Sequence, residues 1–211
     1  MIANAENTTK NIFYGNNYYL VNKPYNAMLS QPYPSLLKPT DIELFVLNNE
    51  TFEIPKCILT FKQWEGLPIA NTFGGKPLID FDGTPMFAEL ALMKLFKIAG
   101  WNSRWIETYG AKATVPYHFS DWIDGKLTEQ PIDLIQEEHI LAKLNEISLI
   151  NKGTYSGCWD VLGWLNDKMV FAELKRTKKD RIRNTQCNWL SSCMAYGLTI
   201  DNFLIVQWDF I

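Results

Sequence analysis

Histidine is scarce in this chain: there are two in 211 residues, His118 and His139. The four cysteines, Cys57, Cys158, Cys187 and Cys193, include no Cys-x-x-Cys pair. A zinc centre built from these side chains is therefore not expected. Free thiols buried in a reducing compartment are. There is no excess of positive charge, since 20 Lys and Arg stand against 23 Asp and Glu for a net charge of -3. Any nucleic-acid contact must then come from a local patch. The N-terminal run Met1-Ile-Ala-Asn-Ala-Glu-Asn has neither a basic region nor a long apolar stretch, so no signal peptide is expected. No window approaches ~18 uninterrupted apolar residues, so no membrane span and no membrane partner are expected. A cytoplasmic protein follows as the default. Internal repeats and low-complexity tracts are absent, and Gly74-Gly75-Lys76 is too short for a phosphate loop.

What is present suits a globular protein. The hydrophobic share is 47% and the aromatic share 14%, with most rings assigned to the core. The length fits one sizeable domain, or one domain with an appendage. Residues 1–40 read as an irregular arm rich in Asn, Tyr and Pro, with a short strand at Tyr18-Tyr19-Leu20-Val21. Residues 41–55 read as a hairpin turning at Asn48-Asn49, and residues 58–62 as a further strand. The Gly- and Pro-rich stretch 64–85 has loop composition and sets the expected boundary between a β-rich appendage, 1–85, and a core domain, 86–211. Thr84-Pro85 reads as a helix start, followed by a largely apolar helix over 86–99 that Gly100 ends. A strand over 101–109, a weakly patterned stretch over 110–130 and an amphipathic helix over 131–150 come next. Asp80 and Asp82 read as loop and turn residues.

The most informative segment runs from Gly157 to Arg176. It reads as two apolar strands joined by a tight turn at Asn166-Asp167. That turn sets Asp160 opposite Glu173, with the carboxylates about 5 Å apart at Cβ. Alternation puts Glu173 and Lys175 on one face and Leu174 on the other. Like charges directly opposed on a sheet are destabilising, so a cation is expected between them. Hard oxygen ligands suit Mg²⁺ or Mn²⁺. The alternative for each acid alone is structural: an edge or bulge position for Asp160, a solvated Glu-x-Lys face for Glu173. Glu89, on the apolar helix, is either a further metal ligand or a structural residue, held in a salt bridge or lying on a narrow exposed stripe shared with Lys94 and Lys97.

A second helix is expected over 183–196, ended by Gly197, and a last strand over 203–208. On that helix Gln186, Trp189, Leu190 and Cys193 share one face, with Gln186 at its edge. The run Lys175 to Arg183 is the densest basic stretch of an acidic chain. It makes Arg176, Lys178, Lys179, Arg181 and Arg183 candidate phosphate contacts. Tyr155, Trp159 and Trp164 are assigned to core packing rather than base stacking, and His118 and His139 to incidental roles.

Asp160 followed by Glu173-Leu174-Lys175 resembles the signature of the PD-(D/E)XK nuclease superfamily. The details are most similar to its VRR-NUC branch: Gly157 shortly before the acid, the run Glu173-Leu-Lys-Arg176, and Gln186 with Trp189-Leu190 on the next helix. Trp159 stands where the motif name has proline. The resemblance spans roughly residues 86–208. It implies an α/β fold with a restriction-endonuclease-like core, that is, a mixed central sheet flanked by helices, with 110–150 holding a helical insertion. It also implies Mg²⁺- or Mn²⁺-dependent hydrolysis of DNA, with Asp160, Glu173 and Glu89 on the metal, Lys175 aiding attack and Gln186 tuning the site. The rival expectation is a catalytically inactive nucleic-acid-binding or assembly module that keeps the fold. Oligomeric state is left open, a homo-oligomer included.

Overall fold

The computed structural model describes residues 11–12, 32–47, 50–69, 73–109 and 114–211. The strands among them are β1 (Asn11–Ile12), β2 (Asp41–Leu47), β3 (Glu50–Gln63), β4 (Ile79–Phe81), β5 (Thr84–Met86), β6 (Asn102–Glu107), β7 (Tyr117–Phe119), β8 (Val161–Leu165), β9 (Lys168–Arg176) and β10 (Phe203–Phe210). Three α-helices accompany them: α1 (Ala88–Ile98), α2 (Glu138–Ile150) and α3 (Asn184–Tyr196). The strands form one mixed sheet in the order β5-β4-β3-β10-β9-β8-β6-β7, with β1 and β2 also paired to β3. β10 runs parallel to both β3 and β9, whereas β8–β9, β6–β8 and β6–β7 are antiparallel. Among the described residues no helix is long and apolar enough to cross a membrane.

Strand alternation divides the core into two layers. On one face Val170, Ala172 and Leu174 of β9, Leu204 and Val206 of β10 and Val161 of β8 pack under α1. That helix buries Leu90, Ala91, Leu92, Met93, Leu95 and Phe96, which explains its nearly continuous apolar sequence. On the other face Met169 and Phe171, Phe203 and Ile205, and Leu162 and Trp164 pack under α2 and α3. The four cysteines are free and buried, as expected. Gly100, at φ 82°, ends α1; Trp101 N–H reaches back to Phe96 O at 3.0 Å and Gly100 N–H to Lys97 O at 3.0 Å.

Several elements differ from the sequence expectation. Thr84-Pro85 is not a helix start but part of β5, and α1 begins at Ala88 after Phe87. Proline is tolerated there because β5 is the outermost strand and owes no ladder bond on its open side. Asp80 lies on β4 and accepts the Gly83 N–H at 2.7 Å, closing the β4–β5 turn, where Asp82 adopts φ 54°. Residues 58–62 are not a separate strand; β3 runs unbroken through Pro55, where only β2 flanks it, and pairing with β10 begins at Lys56. The hairpin expected over 41–55 is present as β2 and the first half of β3. Residues 131–137 are not helical. Arg104 holds them, donating from Nε to Asp133 O at 2.6 Å, and Ile135 N–H donates to His118 Nδ1 at 3.3 Å. β7 comes from the stretch without clear pattern. The strand expected at Tyr18–Val21 lies outside the described residues. The division expected at residue 85 does not coincide with a break in the sheet, because β3, β4 and β5 continue it beyond β10.

Gly163 on β8 faces α1 with no room for a side chain. A Cβ there would stand 2.2 Å from the ring of the fully buried Phe96. Gly163→Ala is expected to destabilise the protein by about 1–3 kcal/mol, as overpacking of a closed core does. Urea unfolding of the two proteins measures it; equal midpoints and slopes would show that α1 yields instead.

Candidate active site

β8 and β9 pair antiparallel from Val161↔Ala172 to Leu165↔Lys168, so the turn falls on Asn166-Asp167 as expected. Asn166 adopts φ 53°, a left-handed conformation that asparagine tolerates. Continued one residue, the ladder sets Asp160 across from Glu173. Asp160 lies in a bend just before β8 rather than within it. Its N–H approaches Glu173 Oε2 at 3.4 Å, and its Oδ2 accepts the Leu174 N–H at 2.9 Å. Its carbonyl accepts from Ile106 N–H at 2.8 Å, which ties the bend to β6.

Glu173 and Lys175 share a face of β9, as alternation requires. Lys175 Nζ donates to Glu173 Oε1 at 2.7 Å and to Gln186 Oε1 at 3.2 Å. Gln186 Nε2 donates to the same Glu173 oxygen. Gln186 Oε1 also accepts from Arg183 N–H at 2.8 Å, so the side chain that caps α3 is the one that braces the lysine. Gly157 brings this helix close. It sits at φ 81°, and a Cβ on it would lie 2.0 Å from Thr185 O, so only glycine lets the loop before Asp160 rest against the first turn of α3.

Glu89 enters from the opposite layer, in the first turn of α1, where the helix dipole favours an acid. It is held in a salt bridge rather than lying on an exposed stripe with Lys94 and Lys97, and its partner is Lys76. The Lys76 ammonium also lies 5.1 Å from the ring centre of Phe73 and 4.9 Å from that of Trp105. Burial works against this ammonium, but Glu89, Asp160 and Glu107 outweigh it and its pKa is raised. Nothing in the sequence assigns Glu107 to the site, and Lys76 stands out there only within Gly74-Gly75-Lys76, too short for a phosphate loop. Glu107 ends β6 two residues after the buried Trp105, so strand alternation puts this acid on the face of a core residue. Lys76 lies in a Gly- and Pro-rich loop with no local pattern to mark it.

Glu107, Asp160 and Glu173 all titrate above the ordinary carboxylate range. Burial is the largest cause for each. The Glu89 charge adds to it at Asp160, and the Asp160 charge at Glu173, which is pushed up to about 8. Glu173 is 2% exposed at its side chain, so this is the most desolvated acid of the group.

These side chains line an open cleft of about 1540 Å³, and the exposed Lys179, Arg181 and Arg183 line it as well. Two of the expected phosphate contacts are not on it. Arg176 follows Lys175 by one residue and so points to the other face. There it pairs with Asp209 at 3.2 Å and lies over Phe210 at 4.6 Å. Lys178 is exposed on the turn after β9, at φ 59°, and does not line the cleft. Trp159 is fully buried, stacked on Phe45 at 5.9 Å with its Nε1 donating to Gln186 O at 3.3 Å. Tyr155 stacks on Trp189 at 5.7 Å, and Trp164 is buried, so core packing holds for all three. His118 is buried, its pKa lowered to about 4 by desolvation and by Arg104.

As the side chains stand, no three His, Cys, Asp or Glu groups among the described residues are gathered as a ready metal site. The acidic oxygens are engaged instead by Lys76, Lys175, Gln186 and the Leu174 N–H. No family model, curated protein or solved structure matches the chain.

The raised pKa of Glu173 has a signed consequence for stability. An unfolded glutamate loses its proton near pH 4.5 and the folded one near 8, so the folded state holds the extra proton between these values. Stability therefore falls as pH rises through that window. Glu173→Gln, which cannot ionise, is expected to flatten the decline. Melting temperatures between pH 5 and 8.5 in chelator-treated protein check this, and parallel profiles would refute it.

Proposed function

We propose that the chain is a divalent-cation-dependent nuclease of the PD-(D/E)XK type that hydrolyses phosphodiester bonds of DNA. One arrangement carries this reading: Asp160 crosses to Glu173 at the mouth of the β8–β9 hairpin, and Lys175 lies one step along on the same face, braced by Gln186. The order α1, β6, β8, β9, α3, β10, with β10 parallel to β9, is also the helix–strand–strand–strand–helix–strand order that the resemblance implies. A restriction-endonuclease-like core over residues 86–211 is part of the proposal.

Asp160, Glu173 and Glu89 supply hard oxygen donors of the kind that suit Mg²⁺ or Mn²⁺. Such an ion polarises a phosphoryl oxygen and lowers the pKa of bound water. The chain's own groups do the rest. Lys175, 13% exposed and held between Glu173 and Gln186, keeps an ammonium at the floor of the cleft, where negative charge develops on the transferring phosphoryl group. Gln186 fixes the direction of that ammonium. Lys179, Arg181 and Arg183 contact flanking phosphates, which positions a strand without reading its sequence.

Mg²⁺-dependent nicking of supercoiled plasmid is expected from the wild type. Asp160→Ala and Lys175→Ala proteins that retain cooperative melting should lose it by about a hundredfold or more. Cleavage surviving in those variants would overturn the mechanism. Replacing Arg181 and Arg183 together by Ala should weaken plasmid binding and reduce its salt slope by roughly two. Plasmid binding and cleavage unchanged in that variant would refute the phosphate-contact role of these two residues.

A further inference from the structure

Lys76 lies outside the segment that carries the nuclease-like signature, yet its ammonium stands inside the acidic cluster. We propose that Lys76 is a resident cation of the site: it holds Glu89 in the metal-free protein and competes with the divalent ion for that carboxylate. This role rests on the metal-binding reading above.

The seat is built rather than incidental. Lys76 pairs with Glu89, and two aromatic faces, Phe73 at 5.1 Å and Trp105 at 4.9 Å, close around the ammonium. Cation–π contacts of this kind are strongest where water is excluded. Trp105 is on β6, two residues before Glu107, so that ring and the acid belong to one strand face. Four carboxylates, Glu89, Glu107, Asp160 and Glu173, thus meet in one cleft with two ammoniums, Lys76 and Lys175.

A dication arriving at Asp160 and Glu173 would find Glu89 already paired and a positive charge beside it. Like charges at such range repel, the more so where water is thin. The lysine stem is flexible, and its side chain is 32% exposed, so the ammonium can leave Glu89 without backbone movement. Its two aromatic neighbours keep it within the cleft after that exchange. The same switch of partner explains how Glu89 can be an ion-paired residue in the metal-free protein and a metal ligand in the loaded one. Lys76 is accordingly a positioning residue that acts through Glu89.

Calorimetric titration with Mn²⁺ in the absence of nucleic acid tests this. Lys76→Met is expected to bind Mn²⁺ about tenfold more tightly than wild type, equivalent to about 1.4 kcal/mol of lost competition. Lys76→Arg, which keeps the charge, should bind as wild type does. In a Glu89→Gln background the effect of Lys76→Met should vanish. A merely structural lysine would give weaker or unchanged binding when removed, and either result in Lys76→Met overturns the inference. If Lys76→Met does not fold, Lys76→Gln gives the same readout. Wild-type binding that is lost in Asp160→Ala but unaffected at position 76 would sink this inference alone. Absence of Mn²⁺ binding by wild type and Lys76→Met alike would sink the metal-site reading along with it.

Discussion

The site depends on keeping acids next to one another away from water. Glu173 is almost fully buried on β9, and Asp160 faces it from the bend just before β8. Opposed like charges weaken a sheet, and an unpaired buried charge weakens it more. The fold answers with donors of three kinds. Backbone N–H groups of Asp160 and Leu174 point at the carboxylates, Gln186 reaches in from α3, and ammoniums arrive from β9 and from the loop bearing Lys76. Each donor depends on another structural decision. Gly157 lets α3 approach, the Asn166 turn sets the register, and the start of α1 places Glu89 within reach of Lys76.

Local rules made part of this legible in the sequence. A two-residue turn fixes a hairpin register, and strand alternation fixes which side chains share a face, so the positions of Asp160, Glu173 and Lys175 followed from spacing alone. Gln186 followed from helical periodicity. The same alternation rule argues against Arg176 as a cleft residue, since it is one step from Lys175; treating the basic stretch as a charge run hid that. Thr84-Pro85 has the local marks of a helix start, but pairing of β5 with β4 overrides them, as tertiary context does to propensity. The periodicity over 131–150 is real only from Glu138 onward, because long-range bonds from Arg104 and His118 hold the preceding residues extended. Lys76 was invisible for a different reason. Its meaning lies wholly in partners far along the chain, which no window of sequence contains.

The N-terminal strands illustrate the same point at larger scale. Composition suggested a boundary in the Gly- and Pro-rich stretch after β3, where the local pattern does weaken. What crosses that stretch is a sheet, carried by the parallel pairing of β3 with β10 over six residue pairs. Parallel pairing leaves no turn between the two strands to read, and so it escapes a scan for hairpins.

That placement of β10 has a consequence for the order of assembly. β3 and β9 do not pair with each other; β10 lies between them as the middle plank. Until residues 203–210 are in place, no strand pairing joins the two sides of the sheet, and only side-chain packing such as the Phe45–Trp159 stack spans them. The loop bearing Lys76 follows β3, whereas the Asp160–Glu173 hairpin belongs to the other side. Lys76 takes its seat from Glu89, Phe73 and Trp105, all earlier in the chain, so the last strand to be made contributes the backbone ladder that locks the two sides rather than the contacts of that lysine.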